Sequence, residues 1–310
     1  MKHFTITLLA TVLAALHALP AHAAITVRDD DGNAVTVARP AQRILALAPH
    51  ITELLFAAGG GDKIAGVVSY SDYPEAAKKI AQVGDNRQYD MERIIAMKPD
   101  LIVVWMHGSA ERQIAMLRQL KVPIYHSEPK KLADIPNNIE RLGQLMGTEK
   151  VAAPAAAQLR AKLASLSAQY AQRPPVRLFY QVWDKPLYTI SGASIISDAM
   201  RICGGQNVFA AMKIVAPVVT QEGVLQENPE AIFATSEKSD SDSEGGLAMW
   251  RAFPSLSAVR SNNLFRLNGD LLNRAGPRMV DGAAAMCEKL ELARQHRTTP
   301  AANPAAKAVK

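Results

Sequence analysis

From residue 43 onward, short continuous apolar runs alternate with segments whose apolar residues return every three or four positions. The first pattern belongs to buried strands, the second to amphipathic helices. Residues 43–48 (RILALA) read as a strand, and 52–58 as a helix closed by Gly59, Gly60 and Gly61. Strands follow at 64–68, 101–104 and 122–125. Helices follow at 90–98, where Pro99 stops the pattern, and at 109–120. A further helical stripe runs through Leu132, Ile135, Ile139, Leu142 and Leu145. Strands alternating with helices predict an α/β lobe with a mostly parallel sheet.

Residues 150–172 break this rhythm. They are alanine-rich, carry Leu159, Leu163, Leu166 and Tyr170 at helical spacing, and hold their one proline near the start. A helix of that length runs roughly 30 Å, the width of a small domain, and is stiff enough to act as a strut. After Pro174 and Pro175 the alternation resumes with a strand at 176–182, a helix at 194–203 and strands at 231–234 and 264–267. Residues 235–246 (TSEKSDSDSEGG) read as a polar loop. The predicted organisation is a leader at 1–23, an N-terminal lobe at 24–148, a connecting helix at 149–172, a C-terminal lobe at 173–297 and a disordered tail at 298–310.

The two lobes share an internal repeat. Residues 92–102 (ERIIAMKPDLI) match residues 222–232 (EGVLQENPEAI), and in each an apolar helix leads through proline into an apolar strand. Two similar lobes imply a pseudo-two-fold relation with a cleft between them. Glu92 and Glu222 each lie two residues after a helix-capping residue, Asp90 or Thr220. The helix dipole alone stabilises a carboxylate there by about 0.3–1 kcal/mol. A matched pair, one on each lobe, also suits a two-fold partner with cationic pockets.

The first residues assign a compartment. Met1, Lys2 and His3 precede an apolar run at 4–19, and Ala21 and Ala23 form a small-residue cleavage signature. This predicts a secretory leader cut after Ala23 and an exported, soluble chain. In an oxidising compartment the two cysteines, Cys203 and Cys287, are either a disulfide or two buried thiols. The net charge of +6 comes from 35 basic and 29 acidic residues without a basic run, so nucleic-acid binding is not predicted.

No nucleophile elbow, metalloprotease helix, C-x-x-C, phosphate loop or dinucleotide fingerprint occurs, so neither catalysis, nor a metal, nor a cofactor is predicted. His107 and His126 follow strands without a second histidine at ligand spacing and read as solvated loop residues. Ligands of parallel α/β sheets bind beyond the carboxyl ends of the strands. Tyr70, Trp105, Trp183, Asp270 and Arg274 all stand there. With aromatics at only 5% of the chain, rings at three strand ends beside one Asp and one Arg describe a cleft for a large, flat, partly polar ligand. The rings also serve as caps on a core in the blander reading, and Asp270 and Arg274 as partners of each other.

Several segments together resemble the periplasmic binding proteins of cobalamin and iron-siderophore ABC importers. They are 52–59 (TELLFAAG), 69–74 (SYSDYP), 92–101 (ERIIAMKPDL), Trp105 with 110–113 (AERQ), 203–209 (CGGQNVF), and Asp270 with 274–278 (RAGPR). The resemblance covers about residues 43–293 and is nearest to the cobalamin-binding branch. It implies two Rossmann-like α/β lobes joined by a long rigid helix, the class III arrangement, with the ligand in the interlobe cleft. It further implies that Tyr70 and Trp105 pack on a corrinoid, that Asp270 and Arg274 bond its amides, and that Trp183 belongs to the second-lobe ligand loop. Glu92 and Glu222 match glutamates that dock onto arginines of an ABC permease dimer, which works with its ATPase subunits, and Cys203 and Cys287 match a family disulfide. The implied protein is a monomeric periplasmic receptor, not an enzyme, with a ferric siderophore or another corrinoid as the alternative ligand. Asn86 stands where the cobalamin branch has a tryptophan. The loop around Trp183 is one residue longer, and Asp85 replaces the iron-ligating tyrosine of the haem branch.

Overall fold

The computed structural model describes residues 24–236 and 246–298. The leader, most of the tail and the greater part of the polar loop expected at 235–246 lie outside them, while Thr235 and Ser236 extend a strand.

A hairpin of β1 (Ile25–Arg28) and β2 (Ala34–Val37) opens the chain. The first lobe continues through β3 (Ile44–Leu47), α1 (Pro49–Ala57), β4 (Ile64–Val67), α2 (Met91–Ala96), β5 (Leu101–Val104), α3 (Glu111–Gln119), β6 (Ile124–His126) and α4 (Asp134–Met146). The connecting helix α5 spans Glu149–Tyr170. The second lobe contains β7 (Val176–Gln181), a short hairpin of β8 (Trp183–Asp184) and β9 (Leu187–Tyr188), α6 (Ile195–Ile202), β10 (Gly205–Asn207) and α7 (Gln221–Glu227). It closes with β11 (Ala231–Ser236), α8 (Ser257–Arg260), β12 (Leu264–Asn268), α9 (Gly269–Leu272) and α10 (Met279–Thr298).

Each lobe holds a four-stranded parallel sheet, ordered β4-β3-β5-β6 and β10-β7-β11-β12. The two orders are equivalent when β3 is set on β7 and β5 on β11. Strands β3 and β5 are buried along their whole length, as sheets covered on both faces require.

The sequence repeat is a structural repeat down to single hydrogen bonds. Asp90 caps α2 through Arg93 N–H, and Thr220 caps α7 through Gly223 N–H. Lys98 (φ 47°) and Asn228 (φ 43°) take the left-handed conformation immediately before the matching prolines. The amides of Asp100 and Glu230 donate to the carbonyls of Arg43 and Arg177, each at 2.9 Å. The side chains of Arg43 and Arg177 donate back to the carbonyls of Met97 and Glu227, each at 2.7 Å.

The strut is welded to both lobes. Ala152 and Ala156 of α5 are buried, and a Cβ on Gly143 of α4 would come within 2.3 Å of Ala152 Cβ, so only glycine permits this approach. Leu159, Leu163, Leu166 and Tyr170 pack on an apolar cluster that runs without interruption from Val27 to Ala293. Arg160 pairs with Glu140 on α4, while Lys162 and Arg173 pair with Asp281 and Glu291 on α10.

Cys203, at the end of α6, is disulfide-bonded to Cys287 of α10, and both are buried. The bond closes a loop with a separation of 84 residues. By loop-closure entropy, the double variant Cys203→Ala/Cys287→Ala should lose about 3–5 kcal/mol of stability in urea unfolding. An unchanged transition midpoint would show that the bond contributes nothing.

Candidate functional site

The carboxyl ends of the two sheets border a cavity of about 400 Å³. Its first-lobe wall is built from His50 after β3, Trp105 after β5, and Glu128 to Lys130 after β6. The second lobe contributes Ala193 to Ile196 at the start of α6, Val215, and Leu272, Asn273 and Ala275 beyond β12.

Trp105 is the ring that lines this space. Its indole N–H donates to Glu128 Oε1 at 3.2 Å, and the edge of His50 meets it at 6.0 Å between centroids. Behind it the chain turns at Gly108, where a Cβ would lie 2.0 Å from the ring, so the turn demands glycine. Asn86 Nδ2 donates to the Gly108 carbonyl at 3.2 Å, and Ser109 Oγ to the Trp105 carbonyl at 2.9 Å. Trp105 is thus a partly exposed ring fixed from three sides. That arrangement suits a flat apolar surface, because little side-chain entropy remains to be lost on contact.

The other strand-end residues are placed differently. Tyr70 is 77% exposed, in the left-handed conformation (φ 65°) uncommon for a residue with a Cβ. Trp183 is 62% exposed and begins the β8–β9 hairpin, two residues beyond the end of β7 at Gln181. Neither lines the cavity.

Asp270 and Arg274 lie 3.4 Å apart, but the pairing is not exclusive. Arg274 Nη1 reaches across the cleft to Asp72 Oδ1 at 2.6 Å, in the segment that carries Tyr70. Partial burial works against the charge of Asp72, yet Arg274 outweighs it and holds the carboxyl below its usual range.

One turn farther on, Arg278 forks onto Glu53 of α1, with contacts of 2.6 and 3.0 Å, and stacks over the Tyr73 ring at 3.9 Å. Glu53 is 3% exposed, and burial pushes its carboxyl above the ordinary range against the pull of Arg278 and Arg274. Removing the arginine from a buried pair of this kind costs about 3–5 kcal/mol.

The structure corrects the reading of His126 as a solvated loop residue. It ends β6, its side chain is fully buried, and its ring lies edge-on to that of His107 at 5.4 Å. Val104 and His126 are paired residues of adjacent parallel strands, which brings together two histidines far apart in sequence. His50 and Glu128 went unremarked among the aromatics, although the strand-end argument reaches both, since they follow β3 and β6 closely.

Glu92 and Glu222 are exposed at equivalent positions of α2 and α7, above the buried Ile94 and Val224. Among the described residues neither carboxylate has an ion pair or hydrogen bond.

His50 is held neutral. Burial is the main cause and lowers its pKa to about 4, against the Ser127 carbonyl that accepts from Nε2–H at 3.3 Å and the charge of Glu128. A histidine titrating lower when folded contributes stability above pH 6.5, and this is lost as pH falls from 6.5 through 4. The shift corresponds to about 3 kcal/mol. His50→Gln should therefore lose less stability than the parent between pH 7 and pH 4 in urea titrations. Equal losses would mean that His50 charges freely in the folded state.

Residues 44–271 match the family model described as periplasmic binding protein. The vitamin B12-binding protein of Vibrio cholerae serotype O1 is 40% identical over 257 residues, covering 83% of this chain and 91% of the relative. That of Yersinia pestis is 36% identical over 253 residues, with coverages of 82% and 88%. The crystal structure of the periplasmic vitamin B12 binding protein of Vibrio cholerae superposes with a TM-score of 0.76 at 39% identity, over 83% of this chain and 99% of that one. A periplasmic haem-binding protein from Pseudomonas aeruginosa shares the fold at 22% identity, with a TM-score of 0.67 and coverages of 84% and 94%. Two equivalent parallel-sheet lobes on a welded helical strut, a cleft at their strand ends and these matches agree: the chain belongs to the periplasmic binding protein family.

Proposed function

We propose that this protein captures cobalamin in the interlobe cleft and delivers it to an inner-membrane ABC importer after export through the cleaved leader. The observation that carries the reading is the fixed Trp105 ring facing a mostly apolar second-lobe wall, in a chain 40% identical to a vitamin B12-binding protein over 91% of its length. A cavity of about 400 Å³ takes only part of so large a ligand. The remainder extends toward the exposed rings of Tyr70 and Trp183, with Asp270 and Arg274 supplying polar contacts to amide side chains. Nothing in this arrangement calls for turnover of the ligand. The protein binds and releases.

The departures from the cobalamin branch fit the reading. Asn86, in place of a tryptophan ring, supports the turn behind Trp105 by its bond to Gly108. Asp85 accepts the amides of Arg87 and Gln88 and so shapes a turn, which leaves no iron-ligating tyrosine there. A ferric siderophore is the second reading, favoured by the same fold and by the arginines beside the cleft.

Delivery rests on Glu92 and Glu222, matched by the repeat and unpaired among the described residues, as carboxylates that meet cationic pockets of a permease dimer. One receptor docks with one lobe over each half of the dimer, which requires a monomer.

Calorimetric titration of the mature protein with cyanocobalamin should give one-to-one binding with a submicromolar Kd, about −8 kcal/mol or better. Trp105→Ala should weaken it by about 2 kcal/mol, roughly thirtyfold. Binding of a ferric hydroxamate instead of cobalamin would move the function to iron uptake, and unchanged affinity would remove Trp105 from the site. The double reversal Glu92→Lys/Glu222→Lys should abolish uptake in cells with ligand affinity intact. Normal uptake by that variant would refute the docking role.

A further inference from the structure

Two acceptors face one another in the wall behind Trp105. His126 Nδ1 lies 2.6 Å from Asp31 Oδ2, so Nδ1 carries the hydrogen and donates it. In the neutral ring this leaves a bare lone pair on Nε2. That atom is buried and has no hydrogen-bond partner, and it points toward Glu128 Oε2 at 3.6 Å. A lone pair and a carboxylate oxygen at this separation repel unless a cation stands between them. A proton on Nε2 gives only a long ion pair at 3.6 Å, beyond hydrogen-bond distance, and leaves the buried N–H without an acceptor. A metal ion bound by both atoms satisfies each at coordination distance.

The third donor is present. His107, on the turn after β5, brings Nδ1 against Glu128 Oε2, and the three donor atoms of His107, His126 and Glu128 all lie within 4.8 Å of one another. We infer that these three residues bind a divalent transition metal ion of the zinc class.

Two imidazole nitrogens and one carboxylate oxygen are an established zinc donor set with a fourth position left open. The surroundings are those of a supported site. Asp31 fixes the tautomer and ring orientation of His126, as carboxylates behind metal-bound histidines do. The backbone amide of Glu128 is held by Asp30 Oδ2 at 2.7 Å, and its Oε1 is occupied by the Trp105 indole, so Oε2 is the oxygen turned toward both histidine nitrogens. Both aspartates come from the tight loop between β1 and β2, which Asp30 also ties to α4 through Arg141 and Asn138, so their positions behind the site are fixed.

Because Glu128 bridges Trp105 and the ion, metal binding should be visible in Trp105 fluorescence. The site is tested without any corrinoid, so its outcome is separate from that of the ligand reading.

Untagged mature protein, freed of metal with a chelator, is titrated with Zn²⁺ by calorimetry and with Co²⁺ by visible absorption. The site predicts one ion per chain, d–d bands of a four- or five-coordinate Co²⁺, and a fluorescence change absent in Trp105→Phe. Asp31→Ala should weaken Zn²⁺ about tenfold. His107→Ala and Glu128→Gln, whose folding is verified by circular dichroism, should each weaken it at least as much. His107 is exposed, so its loss leaves the buried wall intact. No stoichiometric binding, or binding that survives both His107→Ala and Glu128→Gln unchanged, would overturn the assignment.

Discussion

Glu53 is a carboxylate shut away from water at the junction of the two lobes, and the shape of the cleft depends on how its charge is met. The cost of burying it is offset chiefly by the fork of Arg278, whose position is set by the chain leaving β12, with Arg274 also 3.7 Å from the same carboxylate. A carbon added to Gly276 would crowd the same carboxylate. Four residues before Arg278, Arg274 spans to Asp72, so two arginines of one short loop clamp two acids of the opposite lobe. A buried ion pair adds little to net stability but specifies geometry, since any shift leaves a charge unpaired. The two lobes therefore meet at one separation.

The strut makes that separation permanent. Helix α5 shares one apolar cluster with both lobes and is tied by one ion pair to α4 on one side and by one to α10 on the other. Hinge closure would tear both. On this geometry the cleft is preformed, and on the proposed function recognition falls to side chains already fixed in place, Trp105 first among them. The docking role proposed for Glu92 and Glu222 draws on the same rigidity, because the two carboxylates keep a set spacing only if the lobes do.

Much of this was legible in the sequence, and the exceptions have physical reasons. The fully apolar runs of β3 and β5 read directly as buried strands, and the repeat around Glu92 and Glu222 exposed the two-fold plan. The β1–β2 hairpin escaped notice because its strands are short and its loop, Asp29 to Asn33, is polar. Helix α10 escaped because its alanines and charges are spread around the whole helix. Beside the cavity, Trp105 stands out in the sequence by its position at a strand end, whereas His50 and Glu128 share that position without being large aromatics. The sequence offers Asp270 and Arg274 as cleft residues, with their mutual pairing as the alternative, but the shorter contact of Arg274 is to Asp72, some two hundred residues away in sequence. No spacing rule reaches that far. The meeting of His107 and His126 likewise depends on the register of β5 against β6, which the sequence alone does not specify.

A crystal structure of the protein with cyanocobalamin tests the preformed cleft most directly. The account predicts the corrinoid against Trp105 and the Asn273–Ala275 wall, with the Glu53–Arg278 fork intact and the two lobes in their present relation. Ligand bound away from the strand ends, or lobes rotated together with that fork broken, would contradict it.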